Sequence, residues 1–187
     1  MVHRILVLDV QGTPIRWMTK EKALKRVVSG KVGWTAGESY TVMSGGHSRL
    51  EGATSQVQLP SIIALKGQPT RHTRSRIQPT RLALFKRDRC ICAYCAQQFV
   101  FDKLTRDHIK PRAQAGGDTW MNLVTACRRC NERKGGRTPE EAGMRLVYVP
   151  YRPNRFEDFI LIGRHILADQ MSFLMAGVPA SSRLWPG

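Results

Sequence analysis

C-A-Y-C (92–95), then L-T-R-D-H-I-K-P-R-A-Q-A-G-G-D-T-W-M-N-L-V-T-A-C (104–127), then R-R-C-N-E-R-K-G-G (128–136): this stretch decides the fold. Two Cys-x-x-Cys pairs bracket an Asp-His dipeptide and an Asn, and a further Asn follows the last cysteine. Cys92, Cys95, Cys127 and Cys130 supply four soft thiolates, the set a closed tetrahedral structural zinc needs. Each pair closes on a tight turn, and a strand–loop unit fills the gap between them. The competing reading is two coincidental pairs of buried thiols; the completeness and closeness of both pairs outweigh it. All five cysteines lie between residues 90 and 130, whereas a disulfide framework would spread them. Cys90 remains a spare thiol.

Within the bracket, Leu104–Ile109 reads as a strand, so Asp107 and His108 point to opposite sides. The strand ends at Pro111 and at Gly116-Gly117, a loop that keeps the hairpin open. Asn122 lies on the returning segment. A helix opens at Cys130-Asn131 and stops at Gly135-Gly136, and the zinc anchors its first turn. Asn131 approaches Asp107 or His108, and reaches both only with a twist. Alone, each of these residues reads as a surface, turn or helix-start residue. Together inside the cysteine bracket they form a candidate second, catalytic metal site. Trp120 reads as core. His3, His47, His72 and His165 have no matching partners and receive no role.

Outward from this element the chain is strongly basic. Its formal charge of +16 and pI near 10.5 call for a polyanionic partner, most simply nucleic acid. Residues 1–80 carry 12 basic and 4 acidic side chains, 81–147 carry 14 and 7, and 148–187 carry 4 and 3. The polyanion is therefore expected on the first two parts. Apolar runs are too short for a membrane span, and Val2–Val10 contains Asp9 and lacks a small-residue cleavage site. The expected location is the cytoplasm, with no membrane partner.

Arg4–Asp9 reads as a buried strand, Gln11–Pro14 as a turn and Ile15–Met18 as a second strand. Thr19 is an N-cap for a helix over Lys20–Ser29, with Ala23, Leu24, Val27 and Val28 on one face and Gly30 at its end. A strand starts at Lys31. Residues 35–56, rich in Gly, Ser and Thr, read as an irregular loop or loose hairpin, and Leu59–Leu65 as a strand. Residues 66–80 are a linker leading to a short helix over Pro79–Arg87. Arg74 and Arg76 belong to this basic arm, read as tracking phosphates. Thr138-Pro139-Glu140-Glu141 reads as a helix start. Phe156 to Leu174 shows helical spacing for a C-terminal helix that packs on the core or supplies a dimer contact.

The central motifs D-H, N-L-V-T-A-C and C-N-E-R-K resemble the HNH nuclease family with a four-cysteine zinc site. R-T-P-E-E-A-G-M and I-L-A-D-Q-M extend the similarity to small bacterial or phage-type HNH proteins. The L-D step, the Gly-x-Pro turn and the G-K step are also similar to the N-terminal module of transposon-encoded RNA-guided nucleases. The HNH resemblance implies an α+β fold with a ββα-metal, treble-clef-like core on the zinc, joined to a small N-terminal α/β subdomain. The expected divisions are 1–66, a basic N-terminal subdomain; 67–89, the linker arm and short helix; 90–147, the nuclease domain; and 148–187, a C-terminal extension with a packing helix.

By the same resemblance His108 is the general base, Asp107 and Asn131 hold a catalytic divalent ion, and Asn122 fixes the loop and orients His108. The family often has His where this chain has Asn131. A neutral oxygen ligand favours a hard ion such as Mg²⁺ or Mn²⁺. Lys110, Arg112, Arg128, Arg129, Arg133 and Lys134 are candidate phosphate contacts. The implied activity is metal-dependent hydrolysis, or nicking, of DNA, with RNA as a further substrate, by a monomer or homodimer. The alternative is a zinc-stabilised nucleic-acid-binding module without catalysis.

Overall fold

The computed structural model describes residues 3–47, 54–67, 69 and 77–185. Arg74 and Arg76, the arginines assigned to the basic arm, lie outside the described residues. The chain forms two compact units, residues 1–73 with 155–177 and residues 74–154 with 178–187.

In the first unit, β1 (Ile5–Leu8), β2 (Pro14–Met18), β3 (Val32–His47) and β4 (Thr54–Leu65) form a sheet in the order β2-β1-β4-β3. β1 runs parallel to β4 and antiparallel to β2. All four residues of β1 are buried, as a strand covered on both faces requires. One face places Ile5, Val7 and Ile63 against Ala23 of α1 (Lys20–Val28). The other places Leu6, Leu8, Ile62 and Ala64 against Phe159 and Leu174, from α4 (Arg155–Ile162) and α5 (Ala168–Ala176).

α1 ends where the sequence stops it. Gly30, at φ 65°, donates to Val27 O at 3.0 Å and Lys31 donates to Arg26 O at 3.0 Å, the paired bonds of a Schellman cap.

Two elements of the first unit sharpen or correct the sequence reading. Of the two readings of residues 35–56, the described residues 35–47 and 54–56 take the hairpin and make it a regular ladder: β3 and β4 pair antiparallel, with Thr41 opposite Leu59 and Ser44 opposite Gln56. Backbone pairing sets this ladder, and its register shifts absorb the glycines. A Cβ on Gly37 (φ 85°) would lie 2.5 Å from Asp169 Oδ2 and 2.6 Å from Ser61 Oγ. The C-terminal helix is two helices, broken at Gly163, where a Cβ would meet Ile166 Cδ1 at 2.3 Å. Buried Gln170 fastens α5 to the sheet by donating to Arg4 O and Ser61 O, each at 2.8 Å.

The second unit contains α2 (Arg81–Arg87), β5 (Leu104–His108), β6 (Leu123–Cys127) and α3 (Arg128–Lys134). β5 and β6 pair antiparallel from Leu104 opposite Cys127 to His108 opposite Leu123. Thr80 caps α2, accepting from Ala83 N at 3.3 Å. Thr138 and Glu141 form a reciprocal cap, but only one turn follows before Gly143, at φ 62°, ends it. The helix expected there is absent because the cap has no periodic apolar face to propagate.

Arg87, which composition assigns to the basic arm, is fully buried. Its five donors are all used: two on Asp88, at 2.8 and 3.1 Å, and one each on the carbonyls of Trp120, Tyr151 and Leu123, at 2.7, 2.9 and 2.9 Å. Asp88 in turn accepts from the Thr125 backbone and hydroxyl. One ion pair thus ties α2, β6, the loop before it and the segment near Tyr151 together. Arg87→Ala would leave the Asp88 charge buried without its partner, at a cost of about 3–5 kcal/mol. Chemical denaturation of the two proteins measures this loss.

Candidate functional site

The knuckles sit at the start of the second unit's hairpin and at the β6–α3 junction. Cys92 Sγ accepts from Tyr94 N, and Cys127 Sγ from Cys130 N, each at 3.5 Å. The four sulfurs of Cys92, Cys95, Cys127 and Cys130 lie within 4.8 Å of one another. A zinc tetrahedron with 2.3 Å bonds has edges of about 3.8 Å, so the cluster is of the right size. Burial and then the neighbouring thiols push the Cys130 thiol up, the repulsion a bound cation relieves. Cys90 lies outside the sulfur cluster. The four cysteines can hold a structural zinc.

Strand alternation along β5 separates Thr105 and Asp107 from His108. Asp107 is 5% exposed. Its Oδ1 accepts from Lys134 Nζ at 3.0 Å and its Oδ2 from the Tyr94 hydroxyl. Burial, followed by the Asp107 contact, raises the Tyr94 phenol far above its ordinary range, so Tyr94 is the donor. Lys134 is 1% exposed, and its ammonium is committed to Asp107 rather than offered to a phosphate. One turn earlier on α3, Asn131 Nδ2 donates to Thr105 Oγ1 at 2.9 Å. Asp107 and Asn131 thus both engage the α3 side of β5.

His108 faces the loop that joins β5 to β6. Its Nε2 lies 2.6 Å from Asp118 Oδ1. Arg112 Nε also lies 3.3 Å from Nε2, but the shorter carboxylate contact places the proton on Nε2 and leaves Nδ1 as the acceptor nitrogen. Arg112 Nη2 donates to both Asp118 oxygens, at 2.9 and 2.7 Å. That contact, and then the one from His108, lowers the Asp118 pKa to about 2. Asp118 and Tyr94 were not singled out by sequence reading. Asp118 has a weak signal, a carboxylate beside the Gly-Gly of the histidine loop. Tyr94 sits inside a knuckle and has none.

Asn122 closes the loop. Its Oδ1 accepts from Lys110 N at 2.8 Å, and its Nδ2 donates to the carbonyls of Lys110 and Gly117, each at 3.0 Å. Gly116 packs so tightly that a Cβ would lie 1.7 Å from Lys110 O. The glycine therefore lets the loop close on itself. Lys110, Arg128, Arg129 and Arg133 are exposed, and Arg112 is exposed but engaged with Asp118. Trp120 is buried and donates to Ile77 O at 2.8 Å.

No described helix is long and apolar enough to cross a membrane. Residues 92–147 match a family profile described as HNH endonuclease. The CRISPR-associated endonuclease Cas9 of Corynebacterium diphtheriae is 40% identical over 74 residues, which are 39% of this chain and 6% of that protein. The match therefore spans a small part of that relative. The paired knuckles and the β5–β6–α3 unit behind them coincide with the matched segment, and residues 92–147 are similar to the HNH endonuclease family.

Proposed function

We propose that the chain is a metal-dependent endonuclease that hydrolyses phosphodiester bonds in DNA, with His108 as general base. The observation that carries this reading is the His108–Asp118 contact at 2.6 Å, on the hairpin that also presents Asp107. Asp118 holds the imidazole in one tautomer, and Nδ1 takes a proton from the attacking water. The water oxygen bonds to phosphorus as the bond to the 3′ oxygen breaks, giving a 5′-phosphate and a 3′ oxyanion that takes a proton from solvent to become the 3′-hydroxyl. Asn122 keeps the loop closed behind the histidine. Exposed Lys110, Arg128, Arg129 and Arg133 meet backbone phosphates.

Asp107 and Asn131 would hold the divalent cation that the family implies. Their carboxylate and amide oxygens suit a hard ion, and Asn131 bonds through Nδ2, which leaves Oδ1 as its acceptor. When bound, such an ion relieves phosphate charge and stabilises the leaving oxygen. Lys134 already supplies a cation to Asp107, so Asp107 must share or release that contact.

This commitment of both Asp107 oxygens favours the second reading, a zinc-stabilised binding module without catalysis. Supercoiled plasmid incubated with the zinc-loaded protein and Mg²⁺ or Mn²⁺ separates the two. Nicked or linear product that depends on the added ion supports the nuclease. Binding with no cleavage under any divalent ion sinks it in favour of the module. Parallel labelled RNA establishes which backbone is cut.

A further inference from the structure

The first unit has a basic concavity of about 730 Å³. Six cations line it: Arg4 beside β1, Arg16 on edge strand β2, Lys22, Lys25 and Arg26 on α1, and Lys31 after that helix. No Asp or Glu lines it. None of the six forms a salt bridge among the described residues. Helical spacing puts Lys22, Lys25 and Arg26 on one face of α1, and the Schellman cap fixes the position of Lys31 beyond it. An ordinary surface intersperses both signs of charge, whereas six unpaired cations around one hollow repel one another until an anion fills it.

We infer that this groove is a second nucleic-acid site, one that takes a phosphodiester backbone. A chain of charge +16 with an HNH segment points to nucleic acid as the polyanion. The lining chemistry also states the mode of binding. Trp17, the aromatic residue in the wall, is fixed by donating to Phe159 O at 3.4 Å and is half-buried. It forms a wall and offers no free ring for base stacking. Thr19 and Ser29 add hydroxyls among the cations. Contacts of this kind go to phosphates, so binding here is sequence-tolerant and strongly salt-dependent. The site is independent of the proposed cleavage reaction, because a strand can be held here whether or not His108 acts.

The test measures anisotropy of a labelled DNA duplex with the full zinc-loaded chain and no added divalent ion, so binding is read without cleavage. Lys22→Gln/Lys25→Gln/Arg26→Gln removes three candidate contacts. The control Lys20→Gln/Lys66→Gln/Arg164→Gln removes the same charge outside the groove. At about 0.9 per phosphate contact, the groove triple lowers the slope of log affinity against log salt by about 2.7. The affinity loss between 50 and 200 mM salt then shrinks by about 40-fold, by the same relation. Arg16→Gln/Lys31→Gln, which leaves α1 untouched, lowers the slope by about 1.8. The control triple leaves the slope near wild type.

An RNA arm identifies which backbone the groove prefers. Equal losses in the groove and control triples reduce the effect to net charge and overturn the proposal, as does an unchanged slope in both groove variants. A loss confined to anionic lipid vesicles, with duplex and RNA binding intact, assigns the groove to a membrane surface and also overturns it.

Discussion

His108→Ala lowers the rate of ion-dependent strand cleavage by about 10²–10⁴-fold, the range a positioned general base supplies, and leaves duplex affinity unchanged. The loss falls on kcat because the imidazole acts on the water proton and not on the phosphate backbone. Asp118→Asn gives a smaller loss of the same kind, since the amide oxygen still accepts from Nε2 but no longer stabilises an imidazolium. Arg112 and then His108 hold the Asp118 pKa near 2, so the carboxylate keeps its charge through its ordinary titration range and loses it only as pH falls through about 2. Activity lost on acidification between pH 7 and 5 therefore does not come from Asp118. Rapid-quench measurements under single turnover separate these effects from product release. Full activity in His108→Ala would place the base elsewhere.

Residue spacing makes the nuclease segment legible, because zinc ligands and hairpin residues are fixed by local geometry. Two Cys-x-x-Cys pairs can close on one ion only if the chain between them folds back, and Asn122 lies where the returning strand begins. The side chains that hold this geometry are less visible. Arg87 and Lys134 look like surface charge in a basic sequence, yet each is buried against a carboxylate, Asp88 and Asp107 respectively. Lys134 finds its partner 27 residues earlier, and Arg87 spends its other donors on the distant carbonyls of Trp120, Tyr151 and Leu123, and a pattern of charges carries no record of that. Gln170 is hidden in the same way, since its acceptors are backbone carbonyls of Arg4 and Ser61. The β3–β4 ladder is legible only as a loose hairpin beside an irregular loop, because Gly, Ser and Thr lack the alternating apolar signal, while its register is set by backbone pairing to the buried end of β4. Residues 155–177 show a helical period, but that period does not say which sheet they cover; Phe159 and Leu174 complete the face opposite α1.

Removing zinc with a strong chelator, or replacing Cys127 with serine, unfolds the second unit and leaves the first folded. The reason lies in what surrounds the sulfurs. Cys92 and Cys127 are buried with Ala126 in a small cluster that Tyr94, Phe99 and Cys130 cover only in part. Without a cation, four thiols crowd this cluster, and burial and then the neighbouring thiols hinder ionisation of Cys130. Structural zinc contributes an apparent 10–16 kcal/mol in small zinc domains, on the order of the whole stability of a typical fold of about 5–15 kcal/mol. The first unit depends on none of this, since its sheet is covered on both faces by apolar residues of α1, α4 and α5. Metal analysis is expected to find one zinc per chain. Calorimetry of the holoprotein then shows a transition that disappears on chelation, while β1 and β4 amides in the first unit keep their hydrogen-exchange protection. Trp120, 4% exposed, reports the loss through its fluorescence. Cleavage is lost in the same step although no residue of the His108–Asp118 pair has been touched, because β6 and α3 are held to the knuckles through Cys127 and Cys130. A chelated protein that retained the Trp120 signal and the cooperative melt would show that the hairpin stands without its metal.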